Sequence, residues 1–185
     1  MKILITAFEA FDNRNINISK ETLKLLDTSS FNFEIDKLYL PVALNTSYSI
    51  VNNYLKSNSP EVIILLGEAI SRDKISIEIK AKNHILKSLS PTDEVDLNKS
   101  ILINDGPNII YSSFPTIEAL SCVLTNNIPT EISIDAGGYI CNALYYQVQY
   151  NHPTIPTVFI HFPHTSEKLT ICDMAKALEI IINSL

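Results

Sequence analysis

Short apolar bursts alternate with amphipathic stretches along the chain. "KILITAF" (2–8), "FEIDKLYLPV" (33–42), "TEISIDA" (130–136) and "PTVFIHF" (156–162) read as strands. "EVIILLGE" (61–68) is a continuous apolar run closed by Gly67, the pattern of a strand buried on both faces. "KISIEIKAKN" (74–83) alternates strictly: Ile75, Ile77 and Ile79 face one way, and Ser76, Glu78 and Lys80 the other. Between these lie helical stretches at 19–28, 45–58, 116–127, 139–151 and 167–185. Ser19 is the N-cap expected for the first, and Ile50, Tyr54 and Leu55 share one side of the second. Residues 86–114 read as irregular, with "SPTDEVD" and "NDGP" as turn signals.

This alternation predicts an α/β fold, a three-layer α/β/α sandwich around a mostly parallel, twisted sheet. In such sheets functional groups gather where strands end and loops or helix N-termini begin. Cys141, His161, Glu68 and the loop after Phe8 stand at such ends. With 185 residues and no repeat or linker, a single catalytic domain over 1–185 is expected.

Composition narrows the function. A net charge of −6 speaks against a nucleic-acid or anionic-membrane surface, which needs clustered Lys and Arg. No apolar run approaches the roughly 18 residues of a membrane span. "MKILITAF" meets Glu9, Asp12 and Arg14 without a small-residue cleavage site, so it reads as a first strand rather than a leader. The three cysteines lack paired spacing, which indicates neither disulfides nor a zinc knuckle and suits a cytoplasmic protein.

Candidate chemistry starts with Cys141, just behind Gly137–Gly138 at the mouth of a helix. Helix N-terminal N–H groups stabilise a thiolate, lower the thiol pKa and can hold an oxyanion. A cysteine is equally a small core hydrophobe, the reading given to Cys122 and Cys172. His161, at a strand end, can serve as a base to such a thiol or be a hydrogen-bonded structural histidine. Glu78 can orient an imidazole or belong to a solvated face with Lys74 and Lys80. His161 and His164 form an HxxH pair, but Pro163 interrupts it and no third ligand is near, so no metal is expected. His84 and His152 read as surface residues. Phe8 and Phe11, interleaved with Glu9 and Asp12 in a loop, are suited to wall a small flat ligand.

Taken together, these residues resemble the pyroglutamyl peptidase I family of cysteine peptidases. "ITAFEAF" resembles its "TGFEPFGG", and "LGEAISRDKISIEIKAKN" its "GxAxGRxxIxxERxAxN". "DAGGYICNALYYQ" resembles its cysteine segment, and "FIHFPHTSEK" its histidine segment. The resemblance implies a thiol peptidase that needs no cofactor and removes N-terminal pyroglutamate from small peptides, often as a dimer or tetramer. It makes Cys141 the nucleophile, His161 the base and Glu78 the orienting acid. It places Phe8, Phe11, Asn17, Glu68 and Arg72 around the substrate. Ala7, Ala10 and Asp12 replace residues of the first motif, and "SLSPTDEVDLNKS" stands where the family has "IPDNxG". Those departures keep open an amidase of shifted specificity, or a non-catalytic binding protein on the same scaffold.

Overall fold

A computed structural model of the chain describes residues 1–11, 14–86 and 101–185. Its centre is a six-stranded sheet. β1 (Lys2–Phe8), β2 (Glu34–Leu40), β3 (Val62–Glu68) and β8 (Thr157–Phe162) run parallel in the order β2-β1-β3-β8. β4 (Ile75–Glu78) joins β8 antiparallel, and β7 (Thr130–Ser133) lies parallel to β4 at the far edge. A separate two-stranded ribbon pairs β5 (Lys80–Lys82) with β6 (Ile109–Tyr111).

Period-two alternation divides the core into two layers. Ile3, Ile5 and Ala7 of β1, Ile64 and Leu66 of β3, and Val158, Ile160 and Phe162 of β8 face one side. There they pack on α1 (Ile18–Leu25), α3 (Thr116–Thr125) and α5 (Ile171–Asn183). Leu4, Phe8, Ile63, Leu65 and Phe159 face the other side, under α2 (Leu44–Ser57) and α4 (Ile140–Asn151). The sheet is thus flanked by helices on both faces, and each fully buried aliphatic or aromatic side chain contributes about 1.5–3 kcal/mol.

Several details differ from the sequence reading. Asn17, not Ser19, caps α1: its backbone is extended and its Oδ1 accepts from the Ser19 N–H two residues on, at the helix's second position. The 74–83 run is two strands, interrupted at Ile79, whose N–H donates back to Ser133. The middle of its polar face is not solvated: Ser76 and Glu78 are as buried as Ile75 and Ile77, and Tyr145 of α4 bonds the Glu78 carbonyl, while Lys74 stays exposed and Lys80 half-buried. Residues 109–111 form a strand within the stretch read as irregular. Cys172 is exposed rather than core. The apolar side of α5 (Met174, Ala177, Leu178, Ile181, Ile182) is spent on the core. His84 and His152 are half-buried, and His152 meets Asn52. The "NDGP" turn is present, whereas "SPTDEVD" and Asp12 lie outside the described residues. No helix among the described residues is long and apolar enough to cross a membrane.

Candidate active site

Three neighbouring strand ends meet at one edge of the sheet. The registers Ala7↔Leu66 and Gly67↔His161 bring Phe8, Glu68 and His161 to one edge. β4 enters from the opposite direction and sets Glu78 against Phe159, one diagonal step from His161. On that diagonal His161 Nδ1 and Glu78 Oε1 are 2.7 Å apart, with Glu78 0% and His161 4% exposed.

Cys141 arrives on the first turn of α4. Two features of the connection place it. Gly137 has φ +81°, which side-chain-bearing residues rarely adopt, and its N–H donates to Asp135 Oδ1. Asn142 then fastens the helix to the ribbon. Its Oδ1 accepts from Lys82 N, and its Nδ2 donates to Lys82 O and His84 O. One turn after Cys141, Tyr145 Oη donates to the Glu78 carbonyl at 2.9 Å. The helix that carries the cysteine is therefore tied directly to the residue that holds the histidine.

Gly67 makes room beneath the sulfur. A Cβ there would lie 3.1 Å from Cys141 Sγ and 2.7 Å from Phe159 Cζ. Asn142, Tyr145 and Gly67 all escape a reading based on reactive residue types. Only the "CN" step of the cysteine segment hints at the first, and the hydrogen bonds themselves span 58–67 residues.

Cys141 and His161 line one cavity of about 440 Å³ together with Phe8, Phe11, Asn17, Glu68 and Arg72. Glu78 stands behind it, holding His161 from below. Phe8 is not a loop residue: it ends β1, is 2% exposed and offers the cavity only part of its ring. Phe11 is the half-buried loop aromatic. The Asn17 side chain is occupied within the protein, since it caps α1 and its Nδ2 donates to Glu9 O at 3.2 Å. Glu68 accepts from Arg14 Nη2 at 2.7 Å and from Ile18 N at 3.1 Å. Arg72 donates to Glu78 Oε1 at 2.6 Å and to Asp135 O at 2.7 Å, so it shares with His161 the same carboxylate oxygen.

The electrostatics follow from burial and these partners. Burial raises the Glu78 pKa, but His161, Ser133 and Arg72 outweigh it and the net direction is down. Glu78 is a carboxylate at neutral pH, so His161 Nδ1–H donates to it and Nε2 keeps its lone pair. Burial lowers the His161 pKa against the opposing pull of Glu78, which leaves the imidazole neutral. The Cys141 thiol is pushed up to about 12, first by burial and then by the Glu78 charge. Its backbone N–H and Arg72 act the other way, as a helix N-terminus should, but the desolvation is larger. At rest the cavity carries a thiol and a neutral imidazole, and such a thiol reacts only when a base takes its proton.

Among the described residues no group of three or more His, Cys, Asp or Glu is placed to hold a metal ion.

The sequence model of a family described as pyroglutamyl peptidase matches residues 1–183. The pyrrolidone-carboxylate peptidase of Brachyspira hyodysenteriae is 32% identical over 197 residues, covering 100% of this chain and 98% of that relative. That of Thermosipho melanesiensis is 31% identical over 193 residues, covering 100% and 95%. Among solved structures, the pyrrolidone carboxyl peptidase of Fervidobacterium islandicum superposes with a TM-score of 0.86 at 25% identity, over 98% of this chain and 96% of that one.

Proposed function

The chain belongs to the pyroglutamyl peptidase family, and on that premise we propose that it hydrolyses an N-terminal pyroglutamyl residue from small peptides through Cys141, His161 and Glu78. The observation that carries this reading is the buried 2.7 Å hydrogen bond between His161 Nδ1 and Glu78 Oε1, on the wall of the cavity that Cys141 also lines.

In this reading the lactam ring lies between Phe11 and the exposed part of Phe8. His161 Nε2 takes the Cys141 proton as sulfur attacks the pyroglutamyl carbonyl. Glu78 holds the imidazolium in place, and Arg72 keeps that carboxylate ionised. The oxyanion is met by first-turn N–H groups of α4, a helix whose N-cap Tyr139 supplies no side-chain acceptor. Each terminal nitrogen of Arg72 spends one N–H on the protein, on Glu78 Oε1 and Asp135 O, and these bonds fix its positive charge at the cavity wall, where it favours the oxyanion. The proton then passes from Nε2 to the departing amine. Water, deprotonated by the same nitrogen, opens the thioester, and the thiol and neutral imidazole are restored. Each step uses groups of the chain, the substrate and one water molecule.

We place the same enzyme in the cytoplasm, as one domain over 1–185, acting as a homodimer or homotetramer. Ile117 and Leu124, seven apart on α3 and both exposed, favour self-association by giving that helix an apolar outer stripe.

The test is fluorophore release from pyroglutamyl-coumarin amide by wild type and Cys141→Ser, in reductant with a chelator present. Turnover by wild type that disappears in the variant is the expected result. A folded wild type without turnover sinks the proposal, and a panel of other blocked amino-acid amides would then define the pocket.

A further inference from the structure

Glu68 and Arg14 take no part in the chemistry above, yet Glu68 lines the cavity and Arg14 is paired to it. Glu68 ends β3, and its side chain is 2% exposed. Burying a carboxylate is costly unless it is paired, and both oxygens of Glu68 have a partner. Oε1 accepts from Arg14 Nη2 at 2.7 Å, and Oε2 from the Ile18 N–H at 3.1 Å. Both donors belong to the segment that carries Phe11: one beyond the ring, the other at the start of α1. His164 Nε2 lies 3.7 Å from the same Oε1, too far for a hydrogen bond, and its side chain is largely in solvent.

Arg14 in turn holds Phe11 in two ways. Its N–H donates to the Phe11 carbonyl at 3.1 Å, and its guanidinium carbon lies 6.0 Å from the Phe11 ring centroid. Links thus run from the end of a central strand through an ion pair to the aromatic ring that faces the cavity. The base of the loop is secured separately, by Asn17 on Glu9 and by Ser19 Oγ, which accepts the Phe8 N–H. Releasing Arg14 would therefore free the Phe11 ring without releasing β1 or α1.

We propose that the Arg14–Glu68 pair is a positioning device that sets Phe11 against the cavity and so governs how tightly the acyl ring of the substrate is held, not how fast it reacts. This rests on the reading that Phe11 packs on that ring. Holding the ring acts equally on ground state and transition state, so its loss appears in KM. Arg14→Gln is expected to raise KM for pyroglutamyl-coumarin amide about tenfold with kcat within about twofold. Glu68→Gln keeps an acceptor for Ile18 N and should give a similar rise. The double variant should be no worse than either single one, as for two halves of one contact. Arg14→Lys should recover part of the loss.

A second readout is independent of turnover. The chain contains no tryptophan, so Phe11→Trp is a single-site reporter. In that background Arg14→Gln should shift Trp emission to the red as the ring moves into water. If wild type proves inactive on pyroglutamyl amides, the reaction fails while the emission still decides the latch. Unchanged emission overturns the proposal. So does a kcat loss at constant KM, or single-variant KM effects that multiply in the double variant.

Discussion

Two helices of this chain open on the same dipeptide. Ile140–Cys141 begins α4 and Ile171–Cys172 begins α5, so each cysteine holds the second position of its helix. By helix-dipole reasoning the two thiols are alike. Their surroundings are not. The first turn of α5 is satisfied by a capping box, in which Thr170 Oγ1 accepts from Asp173 N and Asp173 accepts from Thr170 N. Cys172 points into solvent. At α4 the N-cap Tyr139 gives no side-chain acceptor, the sulfur lies over Gly67, and His161 shares its cavity. A helix terminus offers N–H groups; whether they remain for a substrate depends on the cap, and whether the thiol can be ionised depends on the strand beneath.

The comparison is broken most severely by exchanging the sulfurs one at a time. Cys141→Ser should lower turnover of pyroglutamyl-coumarin amide by at least about 10³-fold, whereas Cys172→Ser should match wild type. Equal losses would mean that the contrast between the two termini is not functional.

Next in size is the support under His161. Glu78→Gln should cost on the order of 10²–10⁴-fold in kcat/KM, because an amide can favour the wrong imidazole tautomer. The pH profile adds a sign. Burial lowers the His161 pKa and Glu78 opposes that. In wild type the acid limb of kcat/KM should therefore lie below the ordinary histidine value of about 6.5. In Glu78→Gln the opposing pull is gone, so the limb should move to still lower pH while the plateau falls. A limb that moves upward contradicts the assignment of His161 as the base.

Gly67→Ala tests the space under Cys141. The added methyl would meet Phe159 at 2.7 Å and the sulfur at 3.1 Å. A loss of about 1–3 kcal/mol in urea unfolding is expected, together with reduced turnover. The smallest effect belongs to the other terminus. Thr170→Ala removes the cap of α5 and should cost about 1 kcal/mol, roughly 2–4 °C in Tm, with turnover unchanged.

Much of the layout was legible because it is written in local periodicity. Residues 2–8 and 61–68 are apolar on both faces, and strands buried on both faces are what form there. The five helical stretches appear within a few residues of the expected bounds, since an amphipathic stripe and a breaker at each end suffice to mark them. The candidate residues were also legible, but by resemblance more than by pattern. Position alone left Cys141, His161 and Glu78 each with a structural alternative, because reactivity lies in distances between segments that a linear pattern does not contain.

What the sequence by itself determined, then, is the alternation of strands and helices, the net negative charge, and the set of groups able to do thiol chemistry. Those properties depend on each residue and its near neighbours. Tertiary structure alone decided that β4 runs against β8, which brings Glu78 under His161, and that Ser76 and Glu78 are shut off from water. It likewise decided that Cys141 is half-buried while Cys172 is exposed, and that Arg14 reaches Glu68 across 54 positions. The reason is common to all four. A side chain's charge state and reach depend on what desolvates and pairs it, and here those partners come from distant parts of the chain.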